Sequence, residues 1–145
     1  MLNPSRYKIL AIGKIRKDWI REGLNSYMQR LPGLIITDLR DSNPQKEAKS
    51  IQAQLTNDAK LIVLTEEGKL LSSLSFAECL KQFGSQRLDF VIGGANGVAP
   101  GIKNAAHLQL SLSPLTFPHE VARLLLVEQI YRASTIIKGT PYHRN

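Results

Sequence analysis

The chain has 145 residues, 19 Lys plus Arg against 12 Asp plus Glu, and 43% hydrophobic residues, for a formal net charge of +7. One domain fits this length, since chains divide only beyond roughly 250 residues, and the composition excludes disordered, collagenous and disulfide-scaffold classes. No apolar run approaches the roughly 18 residues of a membrane-spanning helix, Ile9–Ile12 is shorter than a signal-peptide core, and the lone Cys79 makes a reducing cytoplasmic compartment the expectation.

Tyr7–Ile12 (YKILAI) reads as a buried strand, ended by Gly13. Lys14–Lys17 is a basic connector. Asp18 is the expected cap of a helix to about Arg30, with Trp19, Leu24, Tyr27, Met28 and Leu31 as its apolar set. Pro32-Gly33 stops it. Leu34–Leu39 is a second strand, Asp41–Pro44 a turn, and Gln45–Leu55 a polar surface helix. Leu61–Leu64 (LIVL) suits a central parallel strand buried on both faces, with Thr65–Lys69 as its exit loop. Ser75 and Glu78 have capping-box spacing, which predicts a helix from Phe76 to about Phe83, closed by Gly84. Leu88–Ile92 is a fourth strand, followed by the glycine-rich turn Gly93–Gly97 and a short helix after Pro100. Leu108–Leu112 is a fifth strand and Ser113–Pro118 a loop with two prolines. His119–Lys138 is the longest helix, closed by Gly139.

Strands alternate with helices, which argues for a three-layer α/β/α domain on a mostly parallel sheet. No repeat or linker divides it. Ligands in such sheets bind beyond the carboxyl ends of the strands. Thr65–Lys69, Gly93–Gly97 and Ser113–Pro118 fall there, so the site is expected in the second half of the chain.

The glycine-rich turn lacks the spacing of a dinucleotide fingerprint and is not followed by the Gly-Lys-Ser/Thr of a phosphate-binding loop. It leaves a backbone able to approach a flat ligand closely; an ordinary tight turn is the simpler account. Pro114 and Pro118 stiffen the next loop, whose fixed backbone polar groups suit an adenine edge, or simply connect. The last helix is apolar over a wide arc, consistent with a central core helix or with a subunit interface. Tyr142, His143 and Arg144 combine a stacking ring, an imidazole and a guanidinium, residue types that contact RNA. No Cys or His cluster has metal-ligand spacing, so no metal is expected. Residues 1–50 carry ten basic and five acidic side chains, an excess that attracts polyanions.

Together, FVIGGANGV (Phe90–Val98), SLSPLTFPHEVARLLLVEQIYRA (Ser111–Ala133), PYHRN (Pro141–Asn145) and the opening Tyr7–Leu31 resemble the ribosomal RNA large subunit methyltransferase H family of the SPOUT superfamily. The resemblance runs in order over nearly the whole chain. It implies the α/β (trefoil) knot of the SPOUT type, a homodimer, S-adenosylmethionine as methyl donor, and methylation of N3 of pseudouridine 1915 in 23S rRNA of the assembled ribosome. The knot rests on the resemblance alone, because base rates run against knots.

Carried onto this sequence, the resemblance implies a donor site at Leu64, Gly94, Pro114, Leu115, Thr116, Phe117, Pro118 and His119. These are the three strand-end loops singled out above. It sets Tyr142, His143 and Arg144 near the methyl acceptor, with a reach across the dimer open. His143 is then the candidate base or orienting group, since imidazole titrates near neutrality. Arg144 suits a phosphate or carbonyl, and Tyr142 a stacked base. Lys14, Arg16, Lys17, Arg21 and Arg30 are candidates for rRNA phosphates. The family often has Asp where this chain has Thr65, and another residue where it has Pro114. A ribosome-binding module of the same fold that no longer turns over the donor is the alternative.

Overall fold

The structure is a computed structural model that describes residues 1–144; Asn145, the last residue of the PYHRN stretch, lies outside the described residues. Ten principal elements follow one another: β1 (Tyr7–Ile12), α1 (Asp18–Met28), β2 (Ile35–Leu39), α2 (Pro44–Gln54), β3 (Lys60–Leu70), α3 (Ser73–Phe83), β4 (Leu88–Ile92), α4 (Pro100–Ala105), β5 (Leu108–Ser111) and α5 (His119–Lys138). The strands form one sheet in the order β2-β1-β4-β3-β5, and every pairing is parallel.

Alternation along the strands divides the core into two layers. Ile9 and Ala11 of β1 and Phe90 of β4 face a large cluster with Ile20 and Leu24 of α1, Phe76 and Leu80 of α3, and Leu126 and Ile130 of α5. Leu10 and Ile12, one residue out of phase, face a smaller cluster with Ile51 of α2 and Ile102 of α4. Three helices therefore cover one face and two the other, as expected for a three-layer domain. With helices on both faces, β4 is buried along its whole length, which is why it carries an unbroken apolar run apart from Asp89. Asp89 is satisfied by the backbone N–H of Thr56 at 2.6 Å and the Thr56 hydroxyl at 3.0 Å.

Four local expectations shift. Asp18 is the first helical residue of α1, not its cap; its carboxylate pairs with Arg21 at 2.8 Å. α3 begins three residues earlier than Phe76, because the Ser72 hydroxyl caps it by accepting the Ser75 N–H at 3.1 Å. Helix α2 is capped by Asn43 and is not wholly a surface element. Its Glu47 is buried and accepts the Ser42 N–H at 2.8 Å. Burial raises the Glu47 pKa, helped by nearby Asp41 and opposed by the Ser42 bond.

The fourth shift bears on the site. β3 does not end at Leu64. Leu64 and Lys69 both align with Leu110 of β5, so residues 65–68 bulge out of the ladder before pairing resumes. Gly68 allows the return, since a Cβ there would stand 2.7 Å from the Gln109 backbone. The expected exit loop is thus a bulge held at both ends.

Candidate active site

The segments at the carboxyl ends of β3, β4 and β5, with the first turn of α5, enclose a cavity of about 550 Å³. Its walls come from Leu64–Glu67, Ile92–Val98 and the Leu112–His119 loop. Leu64, Gly94, Leu115, Thr116, Phe117, Pro118 and His119 all line it, so residues distant in sequence converge as expected. Pro114 does not line it; Leu112 and Ser113 do. The Ser113 hydroxyl accepts the Leu115 N–H at 3.0 Å, and the Ser111 hydroxyl donates to the Ser113 carbonyl at 3.0 Å. These short-range bonds fix the loop that Pro114 stiffens from behind.

The glycine turn closes on itself: the Gly97 N–H donates to the Gly94 carbonyl at 3.0 Å, with Gly97 at φ +71°. A Cβ on Gly94 would lie 2.9 Å from Cγ2 of Ile12, so only glycine brings this backbone so close to the end of β1. Across the cavity, His119 packs its imidazole against Gly13. A Cβ on Gly13 would lie 2.9 Å from Cε1 of His119, and Gly13 has φ +97°. His119 Nδ1 is buried and has no hydrogen-bond partner among the described residues. His107, by contrast, is structural: its Nδ1 accepts the Leu61 N–H at 3.0 Å.

Sequence patterns did not single out the charged side of the cavity. Glu67 in the β3 bulge is held by the Thr65 hydroxyl, which donates to it, and by Lys103 at 3.4 Å. The Thr65 bond, then Lys103, keep its carboxyl below the ordinary carboxylate range. The sequence set Thr65–Lys69 among the site loops without giving Glu67 a role, and Gly68, four residues beyond Leu64, is the mark of the bulge. One lysine and two glutamates at the rim suit a ligand that carries positive charge better than a polyphosphate.

The basic connector is fastened beside this cavity. Glu120, next to His119, is buried and accepts the backbone N–H groups of Arg16 at 2.7 Å and Lys17 at 3.1 Å. Those bonds, that of Lys17 first, hold the Glu120 carboxyl below its usual range. Lys14, Arg16 and Lys17 keep their side chains exposed. Arg21 is engaged with Asp18 and with the Ile15 carbonyl at 2.8 Å, and Arg30 lies over the Tyr131 ring at 5.4 Å. Arg123, 1% exposed, clamps the same region from below. Its guanidinium donates to Asp38 at 2.5 Å and to the Gly13 carbonyl at 3.0 Å.

The C-terminal residues lie elsewhere. None of Tyr142, His143 and Arg144 lines the cavity. The Tyr142 hydroxyl donates to Glu128 at 2.9 Å and lies 3.1 Å from the Tyr27 hydroxyl. Its ring meets Tyr131 edge-on at 4.8 Å and carries the Arg132 guanidinium at 4.7 Å. Burial raises the Tyr142 pKa, and the bonds to Tyr27 and Glu128 add to the effect. His143 Nδ1 stands 3.1 Å from Nη1 of Arg132, and Arg144 is exposed. Ala122 is the α5 residue furthest along the helix that still lines the cavity, and Glu128 lies six residues beyond it, so about 9 Å of helix separates the cavity from the tail's docking point.

A family model described as a predicted SPOUT methyltransferase matches residues 5–143. A protein of Prochlorococcus marinus (strain MIT 9211) named ribosomal RNA large subunit methyltransferase H is 62% identical over 145 residues, covering all of both chains. A protein of the same name from Synechococcus sp. (strain CC9902) is 59% identical over 143 residues, 99% of each chain. Among solved structures, a probable methylase family protein from Haemophilus influenzae Rd KW20 superposes with a TM-score of 0.61 at 10% identity, over 98% of this chain and 72% of that one. The SpoU methyltransferase AviRb from Streptomyces viridochromogenes gives 0.54 at 12% identity, over 96% and 63%. At such identities the structural likeness speaks for the fold alone. A match across nearly the whole chain, close full-length relatives and a parallel sheet with its cavity at the strand ends lead to one conclusion: the chain belongs to the SPOUT methyltransferase family.

Proposed function

We propose that this chain methylates N3 of pseudouridine 1915 in 23S rRNA of the assembled ribosome, as a cytoplasmic homodimer that uses S-adenosylmethionine and carries the knot of its family. The observation that supports it best is the convergence of three strand-end loops on one cavity of about 550 Å³, within the range of small-molecule sites. The lining fits the donor. Leu64, Leu115 and Phe117 offer apolar walls, the braced Leu112–Pro118 backbone offers polar groups for a base edge, and Gly94 permits close approach. The orphaned Nδ1 of His119 is a polar atom awaiting a partner, and the Glu67 carboxylate, kept charged by Thr65 and Lys103, matches a cationic ligand.

S-adenosylmethionine, when bound, supplies an electrophilic methyl group on a sulfonium. The protein's residues do the rest by positioning, since displacement needs reacting atoms held about 3–3.5 Å apart with aligned orbitals. Arg16 and Lys17, anchored through Glu120 next to the cavity, and the nearby Lys14 bind backbone phosphates. Tyr142, His143 and Arg144 serve the acceptor ring. Because they dock about 9 Å along α5 beyond the last cavity residue of that helix and none of them lines the cavity of their own chain, a second copy supplying its tail to this cavity reconciles the two. Trp19, 60% exposed, and the half-buried Leu124, Leu125 and Ile136 offer apolar surface for that copy.

Ribosomes lacking the modification, incubated with the protein and donor labelled in its methyl group, test this. Label in large-subunit rRNA at the single position supports the enzyme. No label, with ribosome binding intact, favours the non-catalytic ribosome-binding module.

A further inference from the structure

The group beside His143 restricts what that imidazole can do. Nη1 of Arg132 lies 3.1 Å from His143 Nδ1. A guanidinium carries N–H donors and no lone pair, so within this pair Nδ1 must accept. The proton of the neutral ring then resides on Nε2, because the bond made by one ring nitrogen sets the state of the other.

Arg132 is itself locked. Its Nε and Nη2 donate to Glu128 at 3.1 and 2.8 Å, and Glu128 also receives the Tyr142 hydroxyl and the Gln129 amide. The guanidinium plane lies over the Tyr142 ring. Arg132 and Glu128 are both largely buried, with side-chain exposures of 24% and 15%. The pair is therefore a fixed element, one helical turn apart, and not a mobile surface ion pair. Motif patterns assign neither residue a role.

We propose that Glu128 and Arg132 are positioning residues that fix His143 as an Nε2–H hydrogen-bond donor, so that His143 acts on a carbonyl of the acceptor ring and not as its base. The inference rests on the methyltransferase reading above. N3 of a pseudouridine lies between two ring carbonyls. When the N3–H bond gives way to an N3–CH3 bond, the ring's electron density shifts onto those oxygens, and a donor aimed at one of them stabilises it. One proton leaves N3 in each turnover and passes to solvent water. The methyl carbon leaves its sulfur, which keeps the bonding electron pair as a neutral thioether. His143 keeps its own Nε2 proton from start to finish.

Two measurements on the full-length protein test this. The first is the ¹⁵N NMR spectrum of histidine-labelled protein at neutral pH, with His143 assigned by the signal that disappears in His143→Gln. A pyridine-type shift at Nδ1 and a pyrrole-type shift at Nε2 are expected, moving toward an averaged pair in Arg132→Met. A proton on Nδ1, or a spectrum indifferent to Arg132, overturns the proposal. The second is turnover at saturating ribosomes. A glutamine donates a hydrogen bond from the same place but cannot take a proton. His143→Gln should stay within about tenfold of wild type while His143→Ala falls about 100-fold or more, the scale of removing one such donor. A glutamine variant as inactive as the alanine one, with ribosome binding retained, overturns it. Should the wild-type protein itself label no rRNA, the functional reading fails, and the NMR result still reports the ring's state independently.

Discussion

The carboxylate of Glu120 accepts the backbone N–H of Arg16 at 2.7 Å, across 104 positions of sequence. That bond makes the first turn of α5, which lines the cavity, also the anchor of the basic connector. Glu120→Ala should cost about 1–3 kcal/mol, the range for stranding partners of a charged acceptor. It should also weaken ribosome affinity more than it slows turnover at saturation. Glu120 has a lowered folded-state pKa, so its stabilisation is complete above the ordinary Glu value near 4.3 and is lost as pH falls through the folded value. Chemical denaturation at pH 7 and pH 3 checks this: the gap between wild type and Glu120→Ala should narrow in acid.

Gly13→Ala tests the packing behind His119. The added methyl would stand 2.9 Å from His119 on a backbone at φ +97°. Strain of this kind costs on the order of 1–3 kcal/mol. Donor affinity, read by calorimetry, should fall as His119 is displaced, with a lower melting temperature. Unchanged donor binding would detach His119 from the site.

Charge reversal at Arg16 and Lys17 should lower ribosome affinity and flatten its salt dependence. Each phosphate that the protein no longer neutralises takes about 0.7–0.9 off the slope of log affinity against log salt. An unaltered slope would send the RNA to another surface.

Alkaline stability gives a fourth test. Burial, and then Cys79, raise Tyr7 from 10.0 to about 12. The folded chain therefore keeps a proton that the unfolded chain has lost, so the contribution is intact below pH 10 and disappears between about pH 10 and 12. Tyr7→Phe, which cannot ionise, should show a shallower decline in that window. Equal slopes would mean that Tyr7 ionises freely in the folded state.

The architecture was readable because its signals are local and repeated. An apolar run such as Leu88–Ile92 can only be satisfied with helices on both faces, and Gly139 marks the end of α5 by the left-handed turn it adopts. The cavity was readable as three loops because parallel strands put their exits on one side. Ser72 and Ser75 are chemically interchangeable as caps, and only packing selects Ser72. The β3 bulge depends on how Gly68 meets Gln109, a meeting of separate strands. Glu47, Glu120 and Arg123 look like surface residues in a linear pattern, because their partners are backbone groups and side chains that a helical period does not reveal. The threading of a knot leaves no imprint on hydropathy or charge at all.

Helix α5 carries a cavity residue, His119, at one end and the docking groups of the tail, Glu128 and Arg132, further along. It therefore works as a ruler with phase as well as length. Each residue turns an α-helix by about 100° and advances it by 1.5 Å. A single insertion between Glu120 and Glu128 would swing the tail's docking face a quarter-turn or more away from Tyr27, whereas about seven added residues would restore the phase and move the tail by about 10 Å. The spacing between these two ends should therefore tolerate substitutions far more readily than any change in the number of residues.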